Sequence, residues 1–145
     1  FGIILGRQGG ALQRMWLPGQ LGLGGPLGGG QQWWSWIHLE DAVRAMIWIL
    51  EHPELIGPLN LTSPQPLRQL EFAKCLGQVQ GRPAWIPVPA WALRLGLGGF
   101  AEELLGSKRV LPLRLQESGF TFDFPELEDA LRQLAVLPSG PAGDK

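Results

Sequence analysis

The chain has 145 residues, of which 45% are hydrophobic and 17% charged, and its net charge is -1. This composition supports the core of one domain or lobe and argues against intrinsic disorder away from the ends. No stretch concentrates Lys or Arg as a nucleic-acid surface requires, and Cys75 is the only cysteine, so a disulfide within the chain and a cysteine-based metal site are excluded.

The first residues predict a buried strand. Phe1 to Gly6 reads Phe-Gly-Ile-Ile-Leu-Gly, a short apolar run bounded by glycine. Such a run is typical of a parallel strand buried on both faces, which needs neighbouring strands. The remaining sequence offers few of these, so we expect a chain truncated at its N-terminus whose missing half supplies the rest of a sheet.

A glycine-rich segment follows a short predicted helix. The helix covers Gly9 to Leu17 and is expected to end at Pro18, and Gly19 to Gly30 then holds seven glycines and Pro26. Segments of this kind are often binding loops or lids. Met15 to Leu39 contains no Asp, Glu, Lys or Arg, but so many glycines and prolines do not suit a membrane-spanning helix, and a surface loop is the better interpretation.

The middle of the chain predicts a strand and two helices. Aromatic content predicts a strand over Gln31 to Leu39. A helix from Glu40 to about His52 places Val43, Met46, Ile47 and Leu50 on one apolar face, and a helix over Leu67 to Gln80 is expected to bury Leu70, Phe72, Ala73 and Leu76 and to end at Gly81.

The remaining predicted elements are short. They comprise a strand at Gly57 to Leu61, two helical pieces within Ala90 to Leu105, and extended segments at Arg109 to Leu115 and Phe120 to Phe124. A last helix is predicted from about Pro125. It is expected to be capped by Asp123 and Glu126 and to bury Leu127, Ala130, Leu131 and Leu134. Pro138 to Lys145 is polar and is expected to be disordered. Strands alternating with helices indicate the α/β class.

Several kinds of chemistry cannot be completed within the chain. There is no tyrosine, no G-x-G-x-x-G turn and no phosphate-binding P-loop, so we assign no catalytic residue. A Ser35, His38 and Asp41 triad is disfavoured because Ser35 and His38 would point to opposite faces of a strand. Asp41 is interpreted as a helix cap, and His38 as a residue of a lobe interface or a ligand pocket.

The cluster Trp33, Trp34 and Trp36 has two interpretations. It packs in the core, or it forms a wall of a cleft opposite the glycine-rich loop, where Gln31, Gln32 and His38 would add the few polar groups that small-molecule sites use. Cys75 lies on an apolar helix face and is interpreted as core packing, and Glu102 and Glu103 as a solvated helix face.

An ordered series of motifs resembles one known family. Gly2 to Gly6, Gly9 to Leu12, Leu21 to Gly28 and Gln32 to Asp41 look like the C-terminal half of the atypical extended short-chain dehydrogenases named the epimerase family. The similarity continues through Gly57 to Thr62, Glu71 to Ala73, Arg82 to Ala84 with Pro87 to Pro89, Arg109 to Pro112, Gly119-Phe120 and Phe124-Pro125, and covers about residues 1–136. Gly19 departs from the family, which usually has a bulky aromatic after Pro18, and this is expected to loosen the loop.

The resemblance implies the C-terminal part of an extended Rossmann-type fold, with residual strands and a mostly helical substrate-binding lobe. Residues 1–81 would end the NAD(P)-binding domain, residues 82–136 would form the small C-terminal domain of the family, and residues 137–145 a disordered tail. The NADP(H)-binding half and a Tyr-x-x-x-Lys pair would lie upstream. The resemblance places Ile3, Ile4 and Gly6 at the cofactor and Gln32, Trp36 and His38 in the substrate pocket.

Two functions remain open at this point. The first is the substrate-binding part of an NADP-dependent short-chain oxidoreductase or nucleotide-sugar-epimerase-like protein, which is inactive alone and binds no cofactor tightly alone. The second is a non-catalytic nucleotide-sensing or protein-interaction module of the same fold. The expected partners are a small-molecule substrate and the missing Rossmann half, without nucleic acid or a membrane span. The single cysteine suits a reducing compartment, either the cytoplasm or an organelle interior.

Overall fold

The computed structural model describes residues 1–136, and the predicted disorder of residues 137–145 lies outside them. Over the described residues the chain forms short strands and predominantly helices, as the α/β prediction with a mostly helical lobe requires. In chain order they are β1 (Ile3–Leu5), α1 (Gly10–Gln20), β2 (Trp33–Trp34), β3 (Trp36–His38), α2 (Leu39–Glu51), β4 (Leu67–Arg68), α3 (Gln69–Gln80), α4 (Ala90–Leu97), α5 (Phe100–Leu105), α6 (Leu113–Glu117) and α7 (Leu127–Val136).

The predicted first strand is present and pairs in parallel. β1 lies beside β3 with Ile3 opposite Trp36 and Leu5 opposite His38. The chain between them passes through α1, so strand, helix and strand follow one another as in a parallel α/β unit. Both strands therefore end at the same edge of the sheet.

The predicted tryptophan strand is divided into two strands at Ser35. β2 pairs antiparallel with β4, whereas β3 pairs with β1. The Ser35 hydroxyl accepts a hydrogen bond from the Val110 amide at 2.8 Å and lies 2.8 Å from the Lys108 carbonyl oxygen. The Ser35 side chain therefore ties this division point to the segment of Lys108 and Val110, while its carbonyl accepts from the Ile3 amide at 2.7 Å.

Helix α2 begins where predicted but buries a different face. Asp41, Ala42 and Ala45 are buried, while the predicted apolar face is exposed and consists of Val43, Met46, Ile47 and Leu50. The small alanines allow α2 to approach the parallel strands closely, and the larger apolar side chains point away from them. The exposed apolar face of these four residues is called the α2 stripe below.

One hydrophobic core joins both ends of the described chain. Trp34 packs edge-on against Phe72 with ring centroids 5.1 Å apart, and the same cluster contains the predicted face of α7, which is Leu127, Ala130, Leu131 and Leu134. Helices α3 and α7 pack together. A second cluster beside α2 contains Ile37, Ala42, Ala45, Leu61, Leu115 and Phe120.

The glycine-rich loop is held against the connector that precedes α4. The Gly28 amide donates to the Val88 carbonyl and the Val88 amide to the Pro26 carbonyl, both at 2.8 Å. Gly25 is needed for this approach because a Cβ atom there would lie 2.0 Å from the Ile86 carbonyl oxygen. The loop is thereby packed on the connector between α3 and α4.

Three predicted boundaries were wrong in the first and last parts of the chain. Pro18 lies inside α1, because its carbonyl continues the turn by accepting from the Leu21 and Leu23 amides. Residues 113–115 are helical instead of extended, since Pro112 is placed at the start of α6. Asp123 and Glu126 do not cap α7, because their side chains bind Arg44 and Gln65.

The predicted strand at Gly57 to Leu61 is also absent from the described residues. The carbonyl groups of Ile56 and Pro58 accept from the Arg114 guanidinium at 2.6 and 2.8 Å instead of joining a ladder. Elsewhere the helix ends agree better with the sequence: Gly81 ends α3 in the left-handed conformation at φ 66°.

The space beside Gly19 is filled by another side chain. A Cβ atom on Gly19 would lie 2.2 Å from Gln80 Oε1, and Gln80 Nε2 donates to the Trp16 carbonyl at 2.8 Å. An amide from α3 therefore fills the space beside Gly19 and packs this end of α1, and the expected loosening of the loop remains a prediction.

Candidate functional site

The carboxyl ends of β1 and β3 form one edge of the parallel sheet. In open α/β sheets this edge is where ligands bind. The chain leaves β1 through Gly6 and Arg7, and a cleft of about 300 Å³ lies there, lined by Arg7, Leu12, Gln13, Trp16, Leu17, Gln20 and Leu134. It is called the strand-end cleft below.

The residues expected at the cofactor lie in and directly after β1. Ile3 is half-buried, Leu5 is fully buried, and the Ile4 side chain is 37% exposed. Gly6 follows the strand and a Cβ atom there would lie 3.2 Å from Leu39 Cδ2. Ile4 is therefore the strand residue with a side chain open to a partner, and the cofactor role of Ile3, Ile4 and Gly6 remains a prediction.

His38 is buried and joins three elements at the sheet edge. Its Nδ1 accepts from the Glu40 amide at 3.2 Å and so caps α2. The ring proton is then on Nε2, which donates to Gln133 Oε1 at 3.0 Å, and Gln133 in turn donates to Glu40 at 3.1 Å. The ring also lies on Phe124, with centroids 4.1 Å apart. His38 thus joins the end of β3 and the start of α2 to Phe124 and α7, and its place at a lobe interface or in a ligand pocket remains a prediction.

The Ser35, His38 and Asp41 side chains do not form a triad. Ser35 hydrogen-bonds backbone near Val110, and His38 has the partners just described. Asp41 is fully buried and accepts from the Asp123 and Phe124 amides at 2.9 and 2.8 Å. The predicted helix-capping role of Asp41 was wrong, since the carboxylate binds the segment before α7 while His38 supplies the cap.

The other expected pocket residues fix backbone around the sheet. Trp36 is fully buried and its Nε1 donates to the Gln65 carbonyl at 2.9 Å. Gln32 Nε2 donates to the Leu27 and Leu104 carbonyls at 3.1 and 3.2 Å. Gln32, Trp36 and His38 line neither the strand-end cleft nor three further clefts formed by residues 1–136. A substrate-pocket role for the three remains a prediction.

The tryptophan cluster packs mainly in the core. Trp34 and Trp36 are buried, and Trp34 Nε1 donates to the Leu104 carbonyl at 3.0 Å. Trp33 is half-buried, with the guanidinium groups of Arg68 and Arg109 at 4.1 and 5.0 Å from its ring centroid. The core interpretation therefore holds for the two inner tryptophans.

A second cavity lies beside α1, and the sequence reasoning missed it. Its volume is about 280 Å³ and its walls come from α1, the glycine-rich loop, α3, the connector, α4 and α5. Arg14 and Gln69 are its polar side chains, and the apolar lining residues are Met15, Pro18, Leu23, Leu27, Phe72, Ala73, Leu76, Val88, Ala92, Leu93, Leu97 and Leu104. It is called the α1 cavity below. Arg14 was a signal for it, as the only charged residue between Arg7 and Glu40.

Cys75 is half-buried against the core, as the packing interpretation requires. Burial raises the pKa of its thiol above the ordinary value of 9.0, and the Glu128 carboxylate raises this pKa further while Arg132 lowers it. Within residues 1–136 no group of three metal-binding side chains was found. No helix in the same range is long and apolar enough to cross a bilayer.

Two sequence families match separate parts of the chain. The NAD dependent epimerase/dehydratase family matches residues 19–61, and a domain of unknown function, DUF1731, matches residues 88–134. Together with the parallel strand pair, these matches define the chain as part of a Rossmann-type α/β protein.

Individual relatives agree over nearly the whole chain. The chain is 45% identical over 133 residues to the chloroplastic epimerase family protein SDR39U1 homolog of Arabidopsis thaliana, and 43% identical over 134 residues to an epimerase family protein of Staphylococcus aureus. The structure of human epimerase family protein SDR39U1 with NADPH superimposes with a TM-score of 0.87 at 40% identity and covers 92% of this chain. The chain belongs to the epimerase family.

The relatives are considerably longer than this chain. The aligned part covers 92% of this chain but 38% of the Arabidopsis protein, 45% of the Staphylococcus protein and 46% of the human protein. The chain thus spans less than half the length of each of these relatives.

Proposed function

We propose that the chain is the substrate-facing C-terminal part of an NADPH-dependent oxidoreductase or epimerase-like protein of the short-chain dehydrogenase class. Its role is to complete the sheet of a Rossmann half and to close over the nicotinamide. The chain alone is inactive, since it has no tyrosine and no glycine-rich phosphate turn. The observation that carries the proposal is the likeness to the human protein whose structure contains NADPH.

The geometry of the sheet supports this role. β1 and β3 form a two-stranded parallel sheet, and parallel sheets this small are rarely stable without further strands. Ile4 is 37% exposed on β1, where a cofactor or a neighbouring strand would cover it. A Rossmann half beside β1 would place its cofactor near the strand-end cleft.

The α2 stripe supports the same partner. Its side chains are between 42% and 82% exposed, on a helix whose opposite face packs against the parallel strands. Helices cover both faces of parallel sheets, and their outer surfaces contact further elements when they are apolar. We assign the stripe to contact with the missing half or with another subunit of the whole protein.

The cofactor proposal is tested by NADPH titration of a form extended through an upstream Rossmann half. We expect binding in the micromolar range, measured by the change in nicotinamide fluorescence. An absence of binding at millimolar NADPH would contradict the proposal. The 145-residue chain alone serves as the reference and is expected to show neither tight binding nor turnover.

The position of the cofactor is tested by a charge on β1. Ile4→Glu in the extended form places a carboxylate beside the anionic cofactor and is expected to weaken NADPH binding at least about tenfold. Ile56→Glu is the control, because Ile56 is 79% exposed and far along the chain from β1. Equal affinities of the two variants would remove Ile3, Ile4 and Gly6 from the cofactor site and leave cofactor binding itself intact.

The sequence upstream of this chain would distinguish the enzyme from the second candidate function, a non-catalytic module of the same fold. An intact Tyr-x-x-x-Lys pair and turnover of NADPH with a carbonyl compound favour the enzyme. A degraded pair together with tight NADPH binding favours a nucleotide-sensing protein.

A further inference from the structure

We propose that the α1 cavity is a binding site for a small amphipathic anion, with an aliphatic tail inside the cavity and a carboxylate at Arg14. The inference uses side chains of this chain alone and does not depend on the cofactor proposal.

The cavity has the size of a small ligand. Its volume of about 280 Å³ is close to the lower end of small-molecule sites, roughly 300 Å³. One water molecule, with a single non-hydrogen atom, takes up about 30 Å³ in the liquid, so the cavity has room for roughly nine non-hydrogen atoms. That is the size of a medium-length acyl chain.

The walls select an apolar body. Phe72, Leu76 and Leu93 are buried side chains that face the cavity. Gln69, the one amide side chain in the lining, already accepts from the Leu27 amide through its Oε1 at 2.9 Å. A water molecule in such a site would find few hydrogen-bond partners. A hydrocarbon chain has no hydrogen bonds to give up, and its transfer from water to apolar walls is favourable.

The rim selects a negative charge. Arg14 is an exposed residue of α1 that lines the cavity, and its guanidinium lies 4.5 Å from the centroid of the Phe100 ring. Within residues 1–136 Arg14 has no ion pair with a carboxylate. The stacking on Phe100 holds the guanidinium in place, and a planar carboxylate is the group that matches its paired N–H donors.

The cavity and the strand-end cleft lie on different faces of α1. Arg14, Met15 and Pro18 line the cavity, whereas Gln13, Trp16 and Gln20 line the cleft. On a helix these two sets point in different directions. A ligand in the cavity would therefore contact the glycine-rich loop and α4 and leave the strand ends open.

The test is calorimetric titration of the 145-residue chain with decanoate, whose tail of nine carbons matches the cavity, and with the neutral decanol. We expect decanoate to bind more tightly than decanol. Because each buried methylene changes affinity about fourfold, hexanoate should bind at least about 100-fold more weakly than decanoate.

Two variants separate the tail from the charge. Arg14→Gln should weaken the binding of decanoate about tenfold and leave the binding of decanol unchanged. Because Arg14 is exposed, the substitution is expected to have little effect on folding. Ala92→Phe fills the cavity from α4 and should abolish binding of both compounds. Leu95→Phe is the matched control on the same helix, since Leu95 is 81% exposed and does not line the cavity.

Several outcomes would overturn the inference. Equal affinities for decanoate and decanol would contradict the preference for an anionic ligand. An unchanged decanoate affinity in Arg14→Gln would contradict the role of Arg14. Retained decanoate binding in Ala92→Phe, checked for cooperative melting, would place the ligand elsewhere.

The cavity proposal and the cofactor proposal fail separately. Loss of NADPH binding in the extended form with retained decanoate binding would count against the cofactor proposal alone.

Discussion

The Asp41 carboxylate accepts a hydrogen bond from the Phe124 backbone amide at 2.8 Å, across 83 positions of sequence. The same carboxylate accepts from the Asp123 amide and from Arg44, at 2.9 and 2.8 Å. A residue of the first turn of α2 therefore fixes the segment that leads into α7. This arrangement connects the epimerase-like part of the chain with its C-terminal domain.

Replacing Asp41 by alanine is expected to destabilise the chain by about 3 kcal/mol, because the Asp123 and Phe124 amides and Arg44 lose their buried acceptor. Asp41→Asn keeps one acceptor oxygen and should cost less. The free energy of unfolding is measured by urea denaturation. Glu51→Ala, an exposed site on the same helix, is the control with a change near zero, and an equal loss in both variants would contradict the bridging role.

Gly25→Ala is expected to destabilise the chain by about 1–3 kcal/mol, because the new Cβ atom would lie 2.0 Å from the Ile86 carbonyl oxygen and push the loop away from the connector. Gly29→Ala is the matched control in the same loop, since a Cβ atom there meets nothing within 4 Å. Thermal melting of both variants checks the difference. A larger loss of stability in Gly29→Ala than in Gly25→Ala would contradict the close contact between Gly25 and the connector.

The α2 stripe predicts self-association of the isolated chain. Ile47 and Leu50 are 50% and 82% exposed, so Ile47→Lys and Leu50→Lys should change the free energy of unfolding by less than about 0.5 kcal/mol and reduce association. Size-exclusion chromatography with light scattering measures the association. Ala45→Lys, at a fully buried position of the same helix, should unfold the chain. A monomeric parent chain would contradict the prediction.

The thiol of Cys75 is expected to react slowly with alkylating reagents at neutral pH, because burial and then Glu128 raise its pKa. Glu128→Gln should lower this pKa and speed alkylation at fixed pH, whereas Glu117→Gln, at an exposed site on α6, should not. The rate is measured between about pH 7 and pH 10. Equal rates in the two variants would show that Glu128 has no effect on the thiol.

The same shift makes stability depend on pH. Because the folded pKa of Cys75 is above the unfolded value, the stability it contributes is complete below the unfolded pKa, near 9.0, and is lost as pH rises through the folded pKa. Cys75→Ala should show a smaller fall in melting temperature above about pH 9. A parallel fall in both proteins would assign the alkaline loss to other groups.

Helices α7 and α2 show what periodicity could and could not predict. Both have apolar residues at helical spacing, and in α7 these residues are buried as predicted. In α2 the apolar stripe is exposed and two alanines pack on the strands. Periodicity identifies an apolar face but does not identify what covers it, and the α2 stripe is exposed among residues 1–136.

The tryptophan segment and the α1 cavity depended on contacts far apart in sequence. Aromatic content predicted a strand, but that strand is divided at Ser35 because its two halves pair with different partners, β2 with β4 and β3 with β1. The motif series correctly indicated the family and fold class. It could not reveal a cavity whose walls come from six separate elements, because packing between those elements is not encoded in any local pattern.

The common core of α3 and α7 has a consequence for how this polypeptide can be divided. The two matched families meet in it, since Trp34 lies in the first segment and Leu131 in the second. Cutting the gene between residues 81 and 88 would give two products that each expose half of a hydrophobic interior. The two matched segments are therefore expected to melt together, in one cooperative transition.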